Sequence, residues 1–227
     1  MSEIRYCLPI IVDRFEEALE IIDEQINQYH YFELWLDYLS NYSREEVCEL
    51  SKKLGNRLLL LFRRNRLDPI QMPLEERLEV IRFAFKNGSY IDLDIQVQSD
   101  ELKALEKSGE KGNLILSYHN YDGTPIDEIM DAILEKMRSY NPAIYKFSCF
   151  CKNRNDALRL LAFQRKLHIS GYHSIVFGMG EKGVVTRVFA PLWGAEMVFA
   201  PVIKGKASAA GQLTKTELET IFNILNK

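Results

Sequence analysis

Lys146 and His119 are the two side chains of this sequence whose types and spacing fit carbonyl chemistry. Lys146 lies in the middle of Ala143-Ile-Tyr-Lys-Phe-Ser-Cys-Phe150, a stretch that reads as a buried β-strand. Lysine is almost never fully buried without a reason. Strand alternation places Ile144, Lys146, Ser148 and Phe150 on one face. Either that face meets water, with the lysine snorkelling from the strand rim, or Lys146 sits in a site. A desolvated lysine keeps more of its neutral, nucleophilic amine, the chemistry of an imine with a ketone or aldehyde. His119 closes another apolar stretch, Leu114 to His119. Histidine titrates near neutrality and is the usual general acid or base, although a lone histidine is more often a hydrogen-bonded structural one. A neutral amine beside an imidazole can form an imine and then move protons next to it.

Other polar residues fall at comparable places. Glu33 and Asp37 lie in the second apolar stretch, Arg63 ends the third, and Asp92 and Asp94 share one face of the fourth. Arg187 falls in the first turn of a helix that follows Gly178-Met-Gly-Glu-Lys-Gly183, where a guanidinium and a helix N-terminus together suit a substrate carboxylate. Ser208 and Gln212 lie in a late loop. Each has an ordinary alternative: Arg63 belongs to an arginine-rich run, the aspartates can orient neighbours, and Ser208 and Gln212 can be a plain loop and cap. The constellation is more specific than any member.

The elements that must position these residues follow from hydrophobic periodicity. Strands are expected over 6–12, 31–37, 57–63, 90–95, 114–119, 143–150, 174–179 and 197–202. Each is followed by a segment of helical spacing. Capping boxes are read at Asp13/Glu16, Ser43/Glu46 and Thr214/Glu217, and Pro125 is read as the first residue of a helix. Eight strand-then-helix units with no linker between them predict a single (β/α)8 barrel domain over 1–227. Val12-Asp-Arg-Phe15 is not the glycine-rich phosphate loop of a dinucleotide fold. In a barrel, the C-terminal strand ends converge on one mouth, and strands about 4.8 Å apart would let His119 and Lys146 share a substrate.

Composition removes other classes. The chain has 227 residues, 47% of them hydrophobic, and a formal net charge of -3. No basic excess suggests a nucleic-acid surface. No apolar run reaches membrane-spanning length and the N-terminus lacks a signal-peptide pattern, so a cytoplasmic protein with no membrane partner is expected. Four scattered cysteines imply no disulfide framework, and Cys149-Phe-Cys151 reads as strand filling rather than a metal site.

Five segments resemble, in order and spacing, the motifs of type I 3-dehydroquinate dehydratase. They are Tyr31-Phe-Glu-Leu-Trp-Leu-Asp-Tyr-Leu39, Leu116-Ser-Tyr-His-Asn-Tyr-Asp-Gly-Thr-Pro125, Tyr145-Lys-Phe147, Met179-Gly-Glu-Lys-Gly-Val-Val-Thr-Arg187 and Ser208-Ala-Ala-Gly-Gln212. The resemblance implies a (β/α)8 barrel, usually a homodimer, in the shikimate pathway of aromatic amino-acid biosynthesis. It implies that Lys146 forms an imine with the C3 ketone of 3-dehydroquinate. His119 would remove a C2 proton, protonate the departing C1 hydroxyl and assist imine formation and hydrolysis. Arg187, Ser208 and Gln212 would hold the carboxylate and a nearby hydroxyl, Glu33 and Arg63 would line the hydroxyl end of the ring, Asp92 would support the histidine, and Met179 would form an apolar wall. No metal or organic cofactor is implied. Two segments depart from the family pattern: Trp35 stands where an arginine is usual, and Arg64-Asn-Arg-Leu-Asp-Pro69 replaces a segment that usually continues to Glu-Gly-Gly. Two other readings fit the same residues, another imine-forming, aldolase-like barrel and a barrel that binds a small carboxylate without turnover.

Overall fold

Leu58, Leu59, Leu60 and Leu61 are all fully buried. An apolar run without alternation is the pattern of a parallel strand covered on both faces. In the computed structural model, which describes residues 3–225, that run is β3 (Leu58–Leu61). The other strands are β1 (Tyr6–Ile10), β2 (Tyr31–Trp35), β4 (Tyr90–Asp94), β5 (Asn113–Asn120), β6 (Ile144–Phe150), β7 (Ser174–Met179) and β8 (Val198–Phe199). Helices α1 (Phe15–Gln25), α2 (Arg44–Leu54), α3 (Leu74–Lys86), α4 (Ser99–Ser108), α5 (Asp127–Arg138), α6 (Arg154–Ile169), α7 (Val184–Leu192) and α8 (Lys215–Leu225) follow them in turn. Residues 1–2 and 226–227, the ends of the expected 1–227 span, lie outside the described residues.

Every pairing is parallel, in the order β7-β6-β5-β4-β3-β2-β1-β8. Between β7 and the segment leading into β8, Ser174 and Ala195 form a parallel bridge, and the Glu196 amide donates to the Ser174 carbonyl at 3.0 Å. This contact closes the sheet, and the expected (β/α)8 barrel is what forms. Among the described residues no helix is long and apolar enough to cross a membrane.

The differences from expectation sit at the rim. β2 stops at Trp35 and turns into a 3-10 turn over Leu36–Tyr38, and β8 keeps only two residues of the expected six. Pro201 has no amide to continue the ladder, and the chain there leaves the sheet to build the mouth. The Ser43/Glu46 capping box forms, as does that of Thr214 and Glu217. The box expected at Asp13 does not: Arg14 is the N-cap, without a side-chain bond, because its backbone is held extended by bridging to Asn41. Pro125 does not start α5 either. The helix begins at Asp127, and the Thr124 hydroxyl donates to the Phe150 carbonyl at 3.1 Å instead of capping.

Candidate active site

The C-terminal ends of the strands converge on one pocket. Its wall includes Glu33 and Trp35 from β2, Arg63 just past β3, His119 from β5, Lys146 from β6 and Met179 from β7. Arg187 joins them from α7, and Ser208 and Gln212 from the loop before α8. A wider vestibule opens outside it, lined by the loop after β3, Tyr121 and the Ser208 loop.

The inward side chains follow the strand register. Ser117 pairs with Lys146, and His119 with Ser148, so His119 stands two residues nearer the mouth than Lys146 on the adjacent strand. Lys146 is 5% exposed. It donates to Asp92 Oδ2 at 2.6 Å and to Glu33 Oε1 at 3.3 Å, and its Nζ lies 4.4 Å from the centroid of the Phe199 ring. Asp92 Oδ1 accepts from the Ser117 hydroxyl at 2.6 Å and from Arg63 at 3.1 Å. Burial alone would push the Asp92 carboxyl up, but the Lys146 ammonium and then the Arg63 guanidinium hold it well below the usual carboxylate range.

His119 Nδ1 lies 2.8 Å from Asp94 Oδ2. An Nδ1–H donated to that carboxylate leaves Nε2 as the free basic nitrogen. Asp94 itself is fully buried and also takes the Gln96 amide at 2.8 Å. Burial, then the Arg63 charge, lowers the His119 pKa below its ordinary value, against the opposing pull of Asp94. The support expected from Asp92 therefore comes from Asp94: alternation brings both carboxylates of β4 inward, and the one nearer the mouth meets the histidine while the deeper one meets the lysine. Asp92 is not part of the pocket wall.

Arg187 is 2% exposed and its Nε has no hydrogen-bond partner. Its guanidinium lies 4.9 Å from the Phe177 ring centroid, and among the described residues it makes no ion pair. Burial brings its pKa down to about 10. The helix that carries it reaches the barrel because Gly178 and Gly183 touch backbone to backbone. A Cβ on Gly183 would come within 2.4 Å of the Gly178 carbonyl carbon. Across the loop, Gln212 Nε2 donates to the Ser208 hydroxyl at 2.9 Å and the Ser208 amide donates to Gln212 Oε1 at 2.8 Å. Met179 is buried against this side of the pocket.

Some residues read as site candidates are engaged elsewhere. Asp37 accepts the Gln71 and Met72 amides at 2.9 and 2.7 Å and pairs with Arg64 at 3.0 Å, so it fastens the loop after β3. Arg64 also covers the Tyr38 ring at 4.2 Å. Tyr121, Phe177 and Phe199, none of them a site candidate from the sequence, also line the pocket. For Phe177 and Phe199 the missed signal was register: each is an inward position next to a strand end. Tyr121 stacks on His119 with ring centroids 6.3 Å apart, and no spacing in the sequence announces that contact.

A closed parallel barrel whose strand ends gather a buried lysine, an imidazole and an unpaired guanidinium in one pocket defines a (β/α)8-barrel enzyme. The type I 3-dehydroquinase family model matches residues 6–227, and the chain belongs to that family of hydro-lyases. It is similar to the 3-dehydroquinate dehydratase of Methanococcus vannielii, with 30% identity over 96% of this chain and 99% of that one. The 3-dehydroquinate dehydratase of Coxiella burnetii is also 30% identical, over 96% of this chain and 92% of its own. In fold the chain resembles the 3-dehydroquinate dehydratase of Geobacillus kaustophilus, with a TM-score of 0.81 at 24% identity over 99% of this chain and 92% of that one.

Proposed function

We propose that this chain dehydrates 3-dehydroquinate to 3-dehydroshikimate through an imine on Lys146. The observation that carries the reading is one pocket holding Lys146, the free Nε2 side of His119 and the uncompensated cation of Arg187. Arg187 and the Ser208/Gln212 pair bind the substrate carboxylate and orient the ring, with Met179 as an apolar wall. Glu33 and Arg63 stand at the opposite, hydroxyl-bearing end. The Lys146 imine then acidifies the neighbouring CH₂, because the electron pair left by the proton is drawn into the iminium. His119 Nε2 takes that proton and returns it to the departing hydroxyl as water leaves. Hydrolysis of the conjugated imine frees the product and Lys146. The reading needs no metal or organic cofactor, and it includes a homodimer in the cytoplasm, which sedimentation velocity tests by mass.

Turnover of 3-dehydroquinate, followed by the enone absorbance of the product, is the first test. Borohydride added with substrate is expected to trap an adduct on Lys146, and Lys146→Ala is expected to lose both the adduct and at least about 10⁴-fold in rate. Wild-type protein that forms no adduct, or a Lys146→Ala variant that still dehydrates, would remove the proposal. An adduct with no enone would favour the aldolase-like alternative.

A further inference from the structure

Lys146 meets two carboxylates, and they are not equivalent. Asp92 accepts three donors, two of them charged: Lys146, Arg63 and the Ser117 hydroxyl. Glu33 accepts two, Lys146 at Oε1 and the neutral indole N–H of Trp35 at Oε2, 2.9 Å away. Glu33 also lines the pocket, whereas Asp92 is not part of its wall. An ammonium held by two carboxylates cannot attack a ketone until it loses a proton. The carboxylate with the fewest charged donors is the better acceptor, and only one that reaches the pocket can hand the proton on.

From this geometry we propose that Glu33 is the proton acceptor and donor of imine formation at Lys146, with Trp35 as the residue that positions it. This rests on the imine reading of the site given above. The Lys146 ammonium gives one proton to Glu33 Oε1. The freed amine lone pair forms the C–N bond while the carbonyl π pair moves to oxygen. That oxygen takes a proton from the new ammonium, giving a neutral carbinolamine. Glu33 then returns its proton to the hydroxyl, which leaves as water while the nitrogen lone pair forms C=N⁺. The balance is one ammonium and one ketone in, one iminium and one water out, with Glu33 again a carboxylate beside the new cation. The strong hold of Lys146 and Arg63 on the Asp92 carboxyl keeps Asp92 out of this exchange. The groups facing Glu33 from other elements are Cys7 on β1, Asp92 on β4, Lys146 on β6, Arg63 past β3 and Arg187 on α7. Among these, Lys146 holds the proton that must move.

Trp35 adds the positioning. Its ring lies 5.3 Å from the Arg63 guanidinium carbon, and its single donor is spent on Glu33. It pins Oε2 without adding charge, so that Oε1 faces Lys146.

The test is the rate of borohydride-trapped adduct formation in a single turnover with 3-dehydroquinate, measured separately from dehydration. Glu33→Gln, of the same shape but unable to take a proton, is expected to slow trapping at least tenfold at neutral pH. Glu33→Ala is expected to be slow and to regain trapping rate as sodium formate is added, formate restoring the missing carboxylate. Glu33→Gln, whose amide fills the space, is expected to gain nothing from formate. Trp35→Phe is expected to slow trapping with little change in KM. Trapping at the wild-type rate in Glu33→Gln, or a Glu33→Ala loss that formate does not restore, overturns the proposal and assigns Glu33 to substrate binding alone. If wild-type protein traps nothing, the imine reading itself fails; if it traps normally and the variants match it, only the role of Glu33 fails.

Discussion

The two ends of the pocket treat buried charge in opposite ways. At the lysine end both cations have a carboxylate: Lys146 and Arg63 share Asp92 and Lys146 also meets Glu33, while the His119 imidazole is held by Asp94. At the other end Arg187 is just as buried and has an aromatic ring for company. A buried charge without a partner costs several kcal/mol, and a fold keeps one when something that binds will complete it. At the paired end the charges are matched before substrate arrives, with only Arg63 Nε left without a hydrogen-bond partner, and this is where protons move. The unpaired end is finished by the anion of the substrate. The pairing pattern itself separates chemistry from binding.

The largest effect expected of this division is at His119. His119→Asn is expected to lower kcat by about 10²–10⁴-fold, with the borohydride adduct still forming because Lys146 is intact. The base must be neutral to work, and burial with Arg63 lowers its pKa. Activity is then lost on acidification only below the ordinary histidine value of about 6.5. Asp94 pulls that pKa upward, so Asp94→Asn is expected to move the acid limb of kcat/KM to still lower pH while reducing the plateau, since the ring loses its fixed tautomer. A wild-type limb above the ordinary value would break the assignment.

Arg63 and Arg187 separate the two ends directly, because the same substitution should cost stability at the first and none at the second. Arg63→Met leaves Asp92 with one cation fewer and is expected to cost about 3 kcal/mol in denaturant unfolding. Arg187→Met removes an uncompensated buried cation and is expected to leave stability unchanged or raised. In turn it should lose about 1.5–3 kcal/mol of transition-state binding in kcat/KM, seen chiefly as a raised KM. Equal destabilisation by both substitutions would mean that Arg187 has a partner within the fold.

The barrel and most of this pocket were legible in the sequence because both rest on alternation. Eight periodic units fix eight strands, and inward positions at strand ends fix Lys146, His119, Glu33 and Arg63. What alternation does not supply is depth along the strand. Asp92 and Asp94 share a face, and only the register of β4 against β5 shows which of them reaches His119. Asp37 lies two residues past the end of β2, where the chain has already turned, so its polar type was visible and its direction was not. The capping box expected at Asp13 failed for a related reason: a long-range bridge to Asn41 set the backbone before local propensity could. Trp35 stood out as a departure from a pattern, but its bond to Glu33 is a product of rotamer and packing.

The smallest effects come from two serines. Ser117 is fully buried and gives Asp92 its 2.6 Å hydroxyl bond. Ser117→Ala removes a donor to a charged acceptor that keeps both its cations, so a loss of about 1.5 kcal/mol in stability is expected, with KM little changed. Ser208 is partly exposed and its hydroxyl accepts from Gln212 at the carboxylate end. Ser208→Ala is expected to stay within about 0.5 kcal/mol of wild-type stability. Its cost appears on substrate, about 1 kcal/mol in kcat/KM through a raised KM, because Gln212 loses the partner that holds its amide toward the pocket. A serine on the paired end thus shows in the melting curve and a serine on the unpaired end in the saturation curve. If Ser208→Ala instead destabilised the fold and left KM alone, the Ser208 loop would be scaffold, and Arg187 alone would have to account for binding the anion.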